Sequence, residues 1–244
     1  MKTIAILAPM QEELDAILAQ LPPCTTRQLQ GISIFETHFA NYHLVLARSG
    51  VGKVNTAMTA AILFSHISVD QVVNVGSAGG MRNGQKILDL VIPDEIIAVD
   101  VDLTPLGFRF GQMLGEPEAY HTDSEMREWS KAARANWPDM PTVHRGAVGT
   151  TDSFVYRADQ VALIEERFGA ERVACVEMEG AALAQVCHRL GIPLLIVRSL
   201  SDVPATTAEN HLDFNTFLEQ AARNAARLLL AMLTDTVDKK APRA

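Results

Sequence analysis

The chain has 244 residues, 48% of them apolar and 20% charged, with 15 Gly and 11 Pro, a composition that excludes a disordered or fibrous chain and fits one globular domain with a sizeable core. Its 21 basic and 29 acidic residues leave a formal charge of −8, so it lacks the broad cationic surface that nucleic-acid phosphates require, and nucleic acid is not an expected partner. No apolar run approaches the ~18 to 20 residues of a membrane span.

Thr3–Ala8 is an unbroken apolar run of strand length. It meets Gln11, Glu12 and Glu13 and not a small-residue cleavage site, so it reads as a first strand and not a secretory signal. After Pro9, Leu14, Ile17, Leu18 and Leu21 recur at helical spacing. Strand-like runs follow at Ile32–Phe35 and His43–Ala47, then a helix over Lys53–His66. Gln71–Val75 reads as a strand running into Gly76-Ser77-Ala78-Gly79-Gly80, where a sharp turn is expected. Leu88–Ile92 and Ile96–Val99 are predicted strands, and Thr104–Tyr120, rich in Gly and Pro, a long functional loop. Helices predicted over Ser124–Asn136, Ala158–Phe168, Gly180–Leu190 and about Phe214–Leu233 alternate with strands at Val143–Val148, Val173–Glu177 and Leu194–Ser199. Such alternation predicts an α/β fold, a mostly parallel sheet covered by helices. Asp238–Ala244 has no apolar periodicity and is expected to fray. Cys24, Cys175 and Cys187 are odd in number and widely spaced, which suggests neither a disulfide framework nor a CxxC site and fits a reducing cytoplasm.

In an open parallel sheet, polar residues at the carboxyl ends of strands face the crevice where ligands bind. Here those ends carry Met10-Gln11-Glu12-Glu13, Ser77, Glu177-Met178-Glu179 and Arg198-Ser199-Leu200-Ser201-Asp202, so acids from separate strands can meet in one cleft. Each has a plainer reading. Carboxylates such as Glu12 and Glu13 are favoured at a helix start; period-two spacing puts Glu177 and Glu179 on one face, but either can cap the next helix; Asp202 can turn the chain. Gly50-Val51-Gly52-Lys53-Val54 is not a Walker A loop, because Ala47 and Val54 stand where Gly and Ser/Thr are needed, and Asn55 replaces the third Gly of a dinucleotide fingerprint. The histidines form no ligand pair, with His121-Thr122-Asp123 reading as a solvated loop, and no metal is implied. Ser153 and Ser201 lack a nucleophile elbow. Phe108, Phe110, Phe154 and Phe214 lie in or beside loops, where an aromatic either packs or stacks a heterocycle.

The ordered set Met10-Gln11-Glu12-Glu13, Ser49-Gly50-Val51-Gly52-Lys53-Val54, Asn74-Val75-Gly76-Ser77-Ala78-Gly79-Gly80, Val176-Glu177-Met178-Glu179 and Ser201-Asp202 strongly resembles bacterial 5′-methylthioadenosine/S-adenosylhomocysteine nucleosidases. The resemblance covers about Met1–Leu233 and includes Asp102-Leu103-Thr104 with Gly107, Gly111-Gln112 and His211-Leu212-Asp213-Phe214. It implies a nucleoside phosphorylase-like fold, a single three-layer domain over residues 1–236 with a central mixed, mostly parallel sheet flanked by helices, followed by a disordered tail at 237–244. It further implies a homodimer, no cofactor, and hydrolysis of the bond between adenine and a 5′-substituted ribose. Carried over, Glu13 activates water, Asp202 is the acid at purine N7 and Glu179 meets the ribose hydroxyls. Met178 lies against the ribose, Phe154 stacks on the purine, and Val155 offers backbone bonds to its edge. Ser77, Arg198 and Ser201 line or order the cleft, with Gly79 and Glu177 beside them, and Met10, Val51 and Phe214 contact the sugar and its 5′ group. Such chemistry needs a protonated Asp202 and an ionised Glu13, because the departing base must be neutralised while water is held on the opposite face of the sugar.

The family pattern is not followed everywhere. Gln11 replaces an acid, and Leu106 and Leu114 replace an aromatic and a Pro in the loop expected to reach a partner's 5′ pocket, which leaves the 5′ substituent open. Sister phosphorylases, which must hold phosphate with arginine, commonly carry Arg at the position of Asn74. Its absence favours water, with Arg48, Arg82 or Arg198 as the residues that phosphorolysis would need. A futalosine-type or other purine nucleosidase or phosphorylase is the alternative, and a non-catalytic adenosine-binding protein a third reading.

Overall fold

The computed structural model describes residues 1–137, 139–203 and 210–238. In chain order the strands are β1 (Lys2–Ala8), β2 (Thr25–Leu29), β3 (Ile32–Phe39), β4 (Tyr42–Arg48), β5 (Gln71–Gly80), β6 (Leu90–Val91), β7 (Glu95–Ala98), β8 (Tyr120–His121), β9 (Val143–His144), β10 (Ala147–Thr150), β11 (Val173–Glu177) and β12 (Leu194–Asp202). The helices are α1 (Gln11–Leu18), α2 (Lys53–His66), α3 (Ser124–Asn136), α4 (Ala158–Phe168), α5 (Gly180–Leu190) and α6 (Asn210–Asp238). The strands form one mixed sheet in the order β2-β3-β4-β1-β5-β11-β10-β7-β8, with β12 paired to β5 and β6, and β6 to β9. Pairing is parallel at β4-β1-β5-β12 and at β11-β10-β7, and antiparallel where β5 meets β11.

Side chains alternate across β1 and sort the helices into layers. Ile4, Ile6 and Ala8 join a core with Leu14 and Ile17 of α1, Met126 and Trp129 of α3, and Leu228, Leu229 and Met232 of α6. Ala5 and Leu7 face Ala60 and Leu63 of α2 and Leu183, Ala184 and Cys187 of α5 on the other side. A third cluster packs α4, through Val161, Ile164 and Phe168, on Ala147, Val173 and Val176. A sheet covered on both faces explains why its central strands read as continuous apolar runs, and the expected three-layer α/β domain is what forms. Among the described residues no helix is long and apolar enough to cross a membrane.

Four local expectations are corrected. The segment Gly76–Gly80 is not a turn but the end of β5. Its glycines serve close approach: a Cβ on Gly76 would stand 3.0 Å from a Glu13 carboxylate oxygen, and one on Gly80 2.9 Å from Leu200 Cδ1. The run Val143–Val148 is broken at Arg145-Gly146, where Gly146 takes φ +135° and the Arg82 guanidinium fills the space of a side chain. Strand β12 continues past Ser199 to Asp202. Helix α1 stops before Leu21, and the polar strand β2 at the sheet edge, together with β8, carries too little apolar periodicity to be foreseen. The predicted tail at 237–244 lies, from residue 239, outside the described residues.

Candidate active site

The carboxyl ends of β1, β5, β10, β11 and β12 supply the lining of one cavity of about 580 Å³, counted with its open mouth, which brings Glu13, Glu179 and Asp202 together. Met10, Val51, Ser77, Gly79, Phe154, Val155, Glu177, Met178, Ser201 and Phe214 line it too. Arg198 does not. It lies behind the wall with no exposed surface, so it can order the cleft but cannot touch a molecule inside it.

Glu13 stands at a helix start and in the cavity lining at once. From the first turn of α1, its Oε2 accepts the Met10 N–H at 2.9 Å, the reach-back bond of a helix start. Its Oε1 accepts the Ser77 N–H at 2.8 Å and the Ser77 hydroxyl at 2.9 Å. Gly76 makes this contact possible by having no side chain. Burial pushes the Glu13 carboxyl above the usual range, against the opposing pull of the Ser77 and Met10 donors and of Arg198.

Glu177 and Glu179 divide two tasks. Glu177 accepts the N–H groups of Glu179 at 3.1 Å and Gly180 at 2.8 Å, the Arg198 guanidinium at 2.6 Å and the Thr150 hydroxyl at 2.5 Å. It is therefore the cap of α5, its charge spent on backbone amides and a buried cation. Glu179 stands at the N-cap position of α5, and its Oε1 accepts the Gly52 N–H at 2.8 Å. Burial, and then the Glu177 charge, push the Glu179 carboxyl up to about 8. Arg198 also bonds to the Asn74 side chain and to the carbonyls of Asn74 and Val197. Burial disfavours its charge, but Glu177, Glu179 and Glu13 outweigh that and hold it firmly protonated.

Strand alternation alone would send Ser201 and Asp202 to opposite faces. Leu200 pairs with Ala78 and Asp202 with Gly79, so the register slips by one residue at Ser201, and both side chains line the cavity. The Ser201 hydroxyl donates to Asp202 Oδ1 at 2.8 Å.

The mouth is aromatic. Phe154 meets Phe214 edge-on at 5.6 Å and lies nearly parallel to Tyr156 at 6.4 Å. Thr151 and Ser153 also line the cavity, and Thr150 and Asn74 brace it from behind; isolated hydroxyl and amide residues carry no sequence signal that would single them out. Among the described residues no lysine or arginine lines the cavity, and no group of three or more His, Cys, Asp or Glu side chains is arranged to hold a metal ion. The three arginines that could have offered a phosphate site lie elsewhere: Arg48 is not part of the lining, Arg82 donates to the carbonyls of Arg145 and Arg172, and Arg198 is spent on Glu177.

Residues 3–234 match the family described as Phosphorylase superfamily. A 5′-methylthioadenosine/S-adenosylhomocysteine nucleosidase of an Exiguobacterium species is 36% identical over 94% of this chain and 96% of its own. The crystal structure of the enzyme of that name from Neisseria meningitidis, in complex with methylthio-immucillin-A, superposes with a TM-score of 0.89 at 34% identity, covering 96% of this chain and 99% of that one. A futalosine hydrolase mutant of Helicobacter pylori superposes with a TM-score of 0.88 at 26% identity, covering 96% of this chain and 99% of its own. By these matches the chain belongs to the phosphorylase superfamily and, within it, to the 5′-methylthioadenosine/S-adenosylhomocysteine nucleosidases.

Proposed function

We propose that this chain hydrolyses the N-glycosidic bond of 5′-methylthioadenosine, S-adenosylhomocysteine and related 5′-substituted adenosines, releasing adenine and the 5′-substituted ribose. The observation that carries the proposal is the cavity itself: three carboxyl groups from segments remote in the chain converge, and no cation lines the wall among the described residues. A phosphate nucleophile needs fixed cationic donors, which this wall lacks, whereas an ionised Glu13 can hold a water and stabilise an oxocarbenium-like sugar. Water is therefore the nucleophile.

In this reading Glu13 takes a proton from the attacking water. Two N–H groups and a hydroxyl aimed at its oxygens favour the ionised form that a base needs, although burial opposes it. Asp202 gives a proton to N7 of the departing adenine, oriented by the Ser201 hydroxyl. Glu179 binds the ribose hydroxyls. With its carboxyl at about 8 it is neutral at pH 7, so it can donate as well as accept, and it leaves one fewer negative charge beside Glu13. Phe154 stacks on the purine and Val155 supports its edge, Met178 lies under the ribose, and Met10, Val51 and Phe214 surround the 5′ group.

A homodimer in the cytoplasm, serving the salvage of methylthio groups, completes the proposal. Its support is the exposure of large apolar side chains, Val54 at 78%, Met58 at 53%, Leu106 at 69% and Leu114 at 67%, and three cysteines that remain free thiols. Sedimentation of the purified chain tests the dimer.

A panel of 5′-modified purine nucleosides, incubated with and without phosphate and analysed by chromatography for free base, tests the reaction. Adenine release independent of phosphate is expected. Strict phosphate dependence would establish phosphorolysis instead; preference for a futalosine-type nucleoside, which the Helicobacter pylori neighbour favours as the second reading, would move the 5′ specificity; and tight binding without product would make the chain a nucleoside-binding protein.

A further inference from the structure

We infer that Lys53 is a positioning residue which, with Asp100 and Asp152, clasps together two loops that both line the cavity mouth. The inference rests on the reading above for what those loops bind. One is the turn after β4, which carries Val51 and Gly52; the other is the loop after β10, which carries Thr151, Phe154 and Val155. In the sheet β4 and β10 are separated by β1, β5 and β11, so no ladder of backbone hydrogen bonds links the two loops.

The link is a network at the cavity rim. Lys53 Nζ bonds both oxygens of Asp100, at 2.6 and 2.7 Å, and lies 3.8 Å from Asp152 Oδ2. The Lys53 N–H donates to Asp152 Oδ1 at 3.0 Å, and the Asp152 N–H donates to Asp100 Oδ2 at 3.0 Å. One cation, two carboxylates and one backbone amide from each loop thus close a ring. An isolated exposed ion pair contributes little, but a network that engages main-chain groups with a partly buried lysine restrains the backbone itself. The Lys53 side chain is 22% exposed and Asp100 31%.

The restraint reaches the site through Gly52. Its N–H is the donor to Glu179 Oε1, and its φ of +93° is open to glycine and strained for other residues. The residue that follows it is Lys53, so the clasp sets where that N–H points. The same ring holds Asp152, two residues before Phe154. Lys53 therefore couples the sugar-side loop to the base-side loop without touching a bound molecule.

Hydrogen exchange and steady-state kinetics on Lys53→Met, Lys53→Arg and Asp100→Asn test this. In Lys53→Met, exchange in residues 50–53 and 151–155 is expected to accelerate together while β1 and β5 stay protected, and KM for 5′-methylthioadenosine is expected to rise about tenfold with kcat within about threefold. Asp100→Asn should reproduce both changes and Lys53→Arg should restore both. Unchanged exchange in either loop, a uniform acceleration across the whole chain, an unchanged KM, or no restoration by arginine would each overturn the clasp. Should the unaltered protein release no adenine, the substrate reading fails instead, and exchange in the two loops still decides whether the clasp exists.

Discussion

At the floor of the cavity and just behind it, Glu13, Glu177, Asp202 and Arg198 are at most 6% exposed, whereas at the mouth Val51 is 43% and Phe154 39% exposed. The floor is made of strand ends and helix starts whose polar groups bond to one another. The mouth is made of loops held by an ion-pair ring and by ring-to-ring contacts. Groups that must be placed to a fraction of an ångström stand on the rigid scaffold, and groups that embrace a substrate stand on parts that can adjust. Changes at the floor should therefore act on turnover or on folding, and changes at the mouth on binding.

The sharpest way to break this contrast is at the two proton-transfer groups. Glu13→Gln and Asp202→Asn are each expected to lower kcat by ~10²- to 10⁴-fold, with a melting temperature within about 5 °C of the unaltered protein. Adenine release followed in a coupled assay measures the first and calorimetry the second. Retained turnover in either variant removes that residue from its role.

Glu177→Gln probes the floor as a folding element. It leaves Arg198 buried without its carboxylate, and uncompensated buried charges cost about 3–5 kcal/mol. Urea titration should show a loss of that size; an unchanged midpoint would mean that Asn74 and the backbone carbonyls suffice for the guanidinium.

Glu179 links the two regions through pH. Its carboxyl rises from an ordinary 4.5 to about 8 in the fold, so between those values the folded chain keeps a proton that the unfolded chain has lost. This contribution to stability is fully present below pH ~4.5 and is lost as pH rises through about 8. Glu179→Gln is expected to flatten that dependence and to stabilise the free protein at pH 8.5 by up to a few kcal/mol, while weakening turnover. Thermal melts from pH 5 to 8.5 check it, and parallel curves for the two proteins would refute the buried proton.

The smallest effect is expected at the mouth. Phe154→Ala should raise KM roughly 5- to 100-fold, the equivalent of the ~1–3 kcal/mol that aromatic stacking on a base supplies, with kcat little changed. A fall in kcat at constant KM would place Phe154 with the floor.

Much of this was legible in the sequence because its causes are local. The apolar periods of α2, α3, α4 and α5 mark helices that form over the predicted spans, and β1 reads as a strand because both its faces are buried. The acids could be picked out because they directly follow such runs. What was not legible depends on a neighbour remote in the chain. Gly76–Gly80 looks like a turn until Glu13 is seen against Gly76, and Glu177 and Glu179 look alike until Arg198 and Thr150 claim one and Gly52 the other.

By itself, then, the order of residues determined the helices and the apolar strands, the α/β class and the chemical types available for catalysis, since helix and strand periods and strand-end positions are properties of a few consecutive residues. Only the tertiary structure decided that three carboxyl groups share one cavity, that Arg198 stands behind the wall, that a slipped register turns Ser201 and Asp202 to the same side, and that Lys53 ties two loops across three strands. Those outcomes arise from burial, desolvation and pairing between segments far apart in the chain, and no local pattern encodes them.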